Sequence, residues 1–83
     1  MKLPRNVGGT ELARLLEKYG YHTSRQRGSH IRLTSHAQGA EHHVTIPGHD
    51  PIKIGTLSGI LTDVSAYLKM SKERLIQEIF GDK

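Results

Sequence analysis

Between Arg25 and Thr34 the chain reads RQRGSHIRLT. Three arginines surround a glycine, a serine and a histidine. These are the residue types that phosphodiester chemistry uses. An imidazole that titrates near neutrality takes or gives a proton, for about 10²–10⁴-fold in rate. A guanidinium fork grips two phosphate oxygens at once. At Gly28 no side chain keeps a phosphate from the backbone. RNA brings its own nucleophile, the 2′-hydroxyl beside each phosphorus. Cleavage then needs a base for that hydroxyl, an acid for the leaving oxygen and positive charge for the crowded phosphate. The same residues also describe an exposed histidine on a solvated basic hairpin. The stretch alone leaves both descriptions open.

Charge narrows the partner. The formal net charge is +4, from 12 basic and 8 acidic residues. From Lys18 to Ala40 there are four basic residues (Lys18, Arg25, Arg27, Arg32) and no acids. Eight basic and eight acidic residues elsewhere cancel. The whole excess thus lies in one block, with His22, His30 and His36 inside it. A localised basic field suits a polyanion. A basic hairpin with no partner has the same charge.

These residues need a scaffold. The chain has 83 residues, which implies a single domain, 1–83, with a small core and a loose lead-in over residues 1–7. GGTELARLLEKYG predicts a helix. Gly8 is its N-cap, Glu11 suits its first turn, and Leu12, Leu15, Leu16 and Tyr19 form one apolar stripe that ends at Gly20. Tyr21 to Gln26 predicts a strand, Gly28 a turn, and Ser29 to Ser35 a second strand. AQGAE reads as a loop. His42 to Ile46 predicts a third strand, ended by Pro47-Gly48. Gly55 to about Lys69 predicts a helix with a stripe of Leu57, Ile60, Leu61, Val64 and Leu68. Ser71 caps a last helix bearing Leu75, Ile76, Ile79 and Phe80, which Gly81 ends. The order implies an α+β fold, helix, three-stranded antiparallel sheet, helix and an additional C-terminal helix. The helices cover one sheet face and leave the other wet.

Strand parity then places the chemistry. If Ile31 and Leu33 face the helices, His30 and Arg32 face solvent. Val44 and Ile46 likewise send His43 and Thr45 outward. Arg25 and Arg27 approach this surface across the turn. A bulge would reverse part of the pattern.

Other chemistries fit less well. No cysteine is present, so disulfides and thiolate metal sites are excluded. His36, His42, His43 and His49 raise a metal alternative, but His42 and His43 point to opposite strand faces, and no His-x-x-x-His pair sits on a helix. No metal and no cofactor are expected. His49 is read as shaping the loop after Pro47-Gly48. No apolar run approaches membrane-spanning length, and MKLPRNVGG lacks a secretory signal. The expected location is cytoplasmic, with no membrane partner.

The segments ELARLLEKYGY, RQRGSHIRL, VTIPGH and KIGTLSGIL occur in the order and spacing of a known family. Over residues 8 to about 63 the chain resembles the HicA toxins, mRNA interferases of toxin–antitoxin pairs. The combination of Gly28-Ser29-His30, Pro47-x-His49, Gly55-Thr56-Leu57 and Ile60-Leu61 carries the resemblance. It implies a fold like the double-stranded-RNA-binding domain and an endoribonuclease that cuts mRNA without a metal. It also implies a HicB-like antitoxin that blocks the site. The family's catalytic histidine falls on His30, and Gly28 matches its neighbouring glycine. Arg25, Arg27, Gly28, Ser29, Arg32, His43 and Lys53 are the expected RNA contacts. A second catalytic group is sought among His43, Arg25, Arg27, Arg32 and Lys53, from charge and parity. The segment TDVSAYLKMSKERLIQEIF departs from the family pattern, with a longer second helix and a well-formed last one. Two other functions fit the residues: a non-catalytic RNA-binding module on the same scaffold, and a basic domain serving an acidic protein.

Overall fold

The structure is a computed structural model and describes residues 3–81. Residues 1 and 2 of the lead-in and residues 82 and 83 of the domain lie outside the described residues. The elements are α1 (Gly9–Leu15), running into a 3₁₀ turn (Leu16–Tyr19), β1 (His22–Arg27), β2 (His30–Ser35), β3 (His42–Pro47), α2 (Ile54–Leu68) and α3 (Lys72–Phe80). The three strands form one antiparallel sheet in the order β1-β2-β3. Order and fold class agree with the sequence, and strand and helix ends shift by a residue or two.

The first helix tightens into its 3₁₀ turn before Gly20, which takes φ +87 and returns its N–H to the Glu17 carbonyl at 3.0 Å. That left-handed conformation is the one glycine adopts without strain. The chain then enters the sheet through Tyr21, which is buried in the core. Lys69 closes α2 in the left-handed conformation too. Two residues on, the Ser71 hydroxyl caps α3 by accepting the Arg74 N–H at 3.0 Å.

Pleating does the sorting. Ile31 and Leu33 of β2 and Val44 and Ile46 of β3 are buried under the sheet. They meet Leu12 and Leu16 of the N-terminal helix and Leu57, Leu61 and Val64 of α2. α3 adds Leu75, Ile76, Ile79 and Phe80. The lead-in has no helix or strand, yet Val7 is buried and accepts the Ile52 N–H at 2.8 Å. The helices cover one face of the sheet, as expected, chiefly at its central strand and at β3, while every residue of β1 is exposed. Its inward-facing positions hold Thr23 and Gln26, opposite Leu33 and Ile31, and these offer no apolar stripe to cover.

Two tyrosines tie the helical layer to the loops. Tyr67 of α2 reaches the loop between β2 and β3. Its hydroxyl accepts the Gln38 N–H at 3.0 Å and lies within hydrogen-bonding range of the Ala40 and Ser35 carbonyls. Tyr67→Phe is expected to cost about 1 kcal/mol by urea denaturation, and to loosen the amides of residues 38–40 to hydrogen exchange. Tyr19 donates to the Glu78 carboxylate at 2.6 Å, which also takes Arg74 Nε at 3.0 Å. The Tyr19 hydroxyl, then Arg74, hold the Glu78 carboxyl below its ordinary range. A depressed pKa in the folded state means stability that is present above the ordinary carboxylate range. It is lost as pH falls through the lowered value. The wild-type urea midpoint is therefore expected to fall over that acid window, and Glu78→Gln to start lower and fall less.

Candidate nucleic-acid interface

The open face of the sheet is organised in rows. At the turn end, Arg27 pairs across β1–β2 with His30, and His30 pairs across β2–β3 with Pro47. The next outward row is Arg25, Arg32 and Thr45. The third is His22, Thr34 and His43. Beyond the ends of the strands lie His36 and Glu41.

The turn and a bulge set this arrangement. The two-residue turn at Gly28 and Ser29 puts Arg27 opposite His30 and Arg25 opposite Arg32, so both arginines share the face of His30 and Arg32, as alternation from the turn predicts. Past Arg25 the register shifts, and Ser24 is an extra residue. Without that shift, His22 and Ser24 would turn under the sheet and Thr23 would face outward. The bulge therefore brings His22 onto the open face, which regular alternation does not foresee.

The turn beneath His30 is built on glycine. Gly28 takes φ +58 with nothing within 4 Å of its absent Cβ. Ser29 is not among the residues with positive φ. A two-residue loop with glycine at a left-handed first position has the signs of a type II′ hairpin turn. Here conformation, not crowding, demands the glycine. At Gly48 crowding decides, since a Cβ would meet the Ser29 carbonyl. A Cβ at Gly9 would meet the Pro47 carbonyl. The start of α1, the end of β3 and the β1–β2 turn thus close on one another at the end of the sheet that holds His30. His49 follows there and accepts the Gly9 N–H on its carbonyl at 3.0 Å. Lys53 is the exposed N-cap of α2, at the close of the same loop.

Further along the face is an open basin of about 380 Å³. Arg25 and Arg32 line it, with Ser24, Thr34 and His43, and His22, His36 and Glu41 at the far rim. A chain of hydrogen bonds crosses it. Glu41 Oε1 lies 2.9 Å from His43 Nε2, so that nitrogen carries the proton. His43 Nδ1 accepts from the Thr34 hydroxyl at 2.8 Å, and Thr34 Oγ1 accepts from Ser24 at 2.7 Å. Thr34 is 3% exposed although it faces outward, because Ser24 and His43 close over it. The rings of His22 and His36 lie parallel within 5°, with centroids 6.2 Å apart.

His42 faces the other way, as the opposite parity of adjacent strand residues requires. It stacks on Tyr67 at 4.5 Å, and its Nδ1 lies 2.6 Å from the Tyr21 hydroxyl. Burial first, then Tyr67 and Asp63, push the Tyr21 phenol above its ordinary range, which keeps it a donor. Among the described residues no group of three or more His, Asp and Glu side chains is arranged to hold a metal ion. No helix among them is long and apolar enough to cross a membrane.

Of the sequence-derived site residues, the structure gathers His30, Arg27, Gly28 and Ser29 at the turn, and Arg25, Arg32 and His43 around the basin. Lys53 lies in neither group. Sequence reading missed His22, Ser24, Thr34, His36 and Glu41. Parity with Arg32 would have found Thr34. Nothing local announces Glu41, which is brought in by the loop that Tyr67 holds.

A small α+β domain of double-stranded-RNA-binding-like architecture, with one sheet face left open and basic, is the class that fold and site define. The family model for the HicA toxin of bacterial toxin–antitoxin systems matches residues 9–65, and the chain belongs to that family, whose members imply an antitoxin partner. Comparison with curated proteins and with solved structures returns no match.

The hydroxyl of Thr34 is a test of the chain across the basin. Thr34→Val keeps the volume and leaves Ser24 and His43 without their shared partner. Urea denaturation is expected to show a loss of about 1–3 kcal/mol, and the His43 ring resonances are expected to move toward those of a free side chain.

Proposed function

We propose that this chain is a cytoplasmic toxin that cuts mRNA without a metal, with His30 as a proton-transfer residue, and that a HicB-like antitoxin silences it. The observation that carries this reading is the surroundings of His30. Its exposed imidazole stands at the first residue of β2, with Arg27 directly across the turn and Arg32 next outward on its own strand.

A phosphate over this end of the sheet meets the Arg27 guanidinium and the His30 imidazole. The 2′-oxygen attacks phosphorus, the bond to the 5′-oxygen breaks, and a cyclic 2′,3′-phosphate and a free 5′-hydroxyl result. One proton leaves the 2′-oxygen and one reaches the 5′-oxygen. Arginine stays protonated at any relevant pH, so Arg27 supplies charge and His30 moves a proton. His43 lies four residues along the sheet from His30, about 13 Å away by strand rise, and both its ring nitrogens are engaged. It serves a different part of the RNA. The group that protonates the leaving oxygen is proposed to be Lys53, at the end of the loop that follows Pro47.

Expression of the wild-type chain is expected to arrest growth, and His30→Ala to abolish the arrest with an unchanged circular dichroism spectrum. Purified wild-type protein is expected to cut mRNA in the presence of EDTA, and the variant to cut at least about 10²-fold more slowly. An equally toxic alanine variant would sink the proposal. Salt-sensitive RNA binding without cleavage products would instead establish the non-catalytic RNA-binding module.

A further inference from the structure

Arg25 and Arg32 are directly opposed across β1 and β2. Like charges facing each other in a sheet destabilise it. The two-residue turn brings this about, by fixing the register from Arg27 and His30 onward, and neither guanidinium has a carboxylate partner among the described residues. A carboxylate is nearby. Glu41 lines the same basin, but it spends one oxygen on His43 at 2.9 Å and turns the other to His36 at 3.6 Å. The fold thus keeps two uncompensated guanidiniums side by side over an open basin. His30 is not part of that basin.

We infer that the basin seats a ribonucleotide of the RNA other than the one cut at His30, with its phosphate between Arg25 and Arg32. This rests on the ribonuclease reading above. The row of Arg25 and Arg32 lies about 7 Å beyond the row of His30 and Arg27, and the row of Thr34 and His43 about 7 Å further. That step is of the order of the spacing between neighbouring nucleotides in an extended strand. A chain crossing the face therefore meets a new set of side chains at each nucleotide. The second phosphate completes the pair of guanidiniums that no carboxylate among the described residues completes. The parallel rings of His22 and His36 form a rim on which a base stacks, as bases do on planar side chains in single-strand recognition. Glu41 holds His43 in one tautomer, so the bed beneath this nucleotide is set before RNA arrives.

Two readouts separate this subsite from the cleavage site. The first is a series of oligoribonucleotides from two to six nucleotides. For wild-type protein, KM is expected to fall about tenfold as the chain grows past the dinucleotide. Arg25→Gln is expected to remove most of that fall. An equal loss on the dinucleotide would place Arg25 at the cleaved phosphate and overturn the subsite, as would a flat series. The second is fluorescence anisotropy with His30→Ala protein and the same oligonucleotides, which reads binding without turnover. If wild-type protein cuts nothing but binding still grows with length through Arg25, the ribonuclease reading falls and the subsite stands. If it cuts with no gain through Arg25, the subsite falls alone. Because Arg25 opposes a like charge, Arg25→Gln is also expected to raise the urea midpoint slightly while weakening binding. A lowered midpoint would show that the pair supports the fold and overturn the inference.

Discussion

β2 is the central strand, hydrogen-bonded on both sides, and its pleat divides the molecule. Ile31, Leu33 and Ser35 go under the sheet, and His30, Arg32 and Thr34 go over it. The core cannot tolerate a slip by one residue, since that would exchange an isoleucine and a leucine for a histidine and an arginine. Hydrophobic burial thus fixes the positions of the charged side chains that it never touches. The residues proposed for chemistry are accurate in place because their neighbours are apolar.

The helical layer positions the open face from behind. Tyr67 holds the loop between β2 and β3, and that loop delivers Glu41 to His43. His43 holds Thr34, and Thr34 holds Ser24 at the bulge. A side chain on α2 is thereby connected to the strand that carries Arg25, through contacts on both sides of the sheet. Tyr67 lies just past the residues matched by the family model. A residue outside the matched segment therefore bears on the basin.

Much of this was legible in the sequence, for a clear reason. Apolar stripes at helical spacing in 12–19 and 57–68, and alternation in 31–34, report burial, and burial sets the fold. Glycines at 20 and 28 report backbone conformations that other residues adopt only with strain. The bulge was not legible, because HTSRQR has no apolar residue to fix its register. β1 is exposed throughout, so neither inward nor outward position leaves a mark on composition. Glu41 escaped for a related reason. It stands in a polar loop, and its partners are a ring on β3 and a ring beyond β2, brought close only by the hairpin's return.

The bulge also bears on how a surface like this one changes over time. The turn holds Arg25 and Arg27 on the open face whatever the rest of the strand does, while His22 counts toward that face only because β1 holds one residue more than its partner opposes. The same letters in an even register would fold onto the same core and carry the same net charge, yet present Thr23 where the His22 ring now stands. The guanidiniums are stored in the turn, and the aromatic rim is stored in the strand's length as much as in its composition. A change of length in this exposed strand, nearly silent for stability, would act on the rim and leave the charges in place.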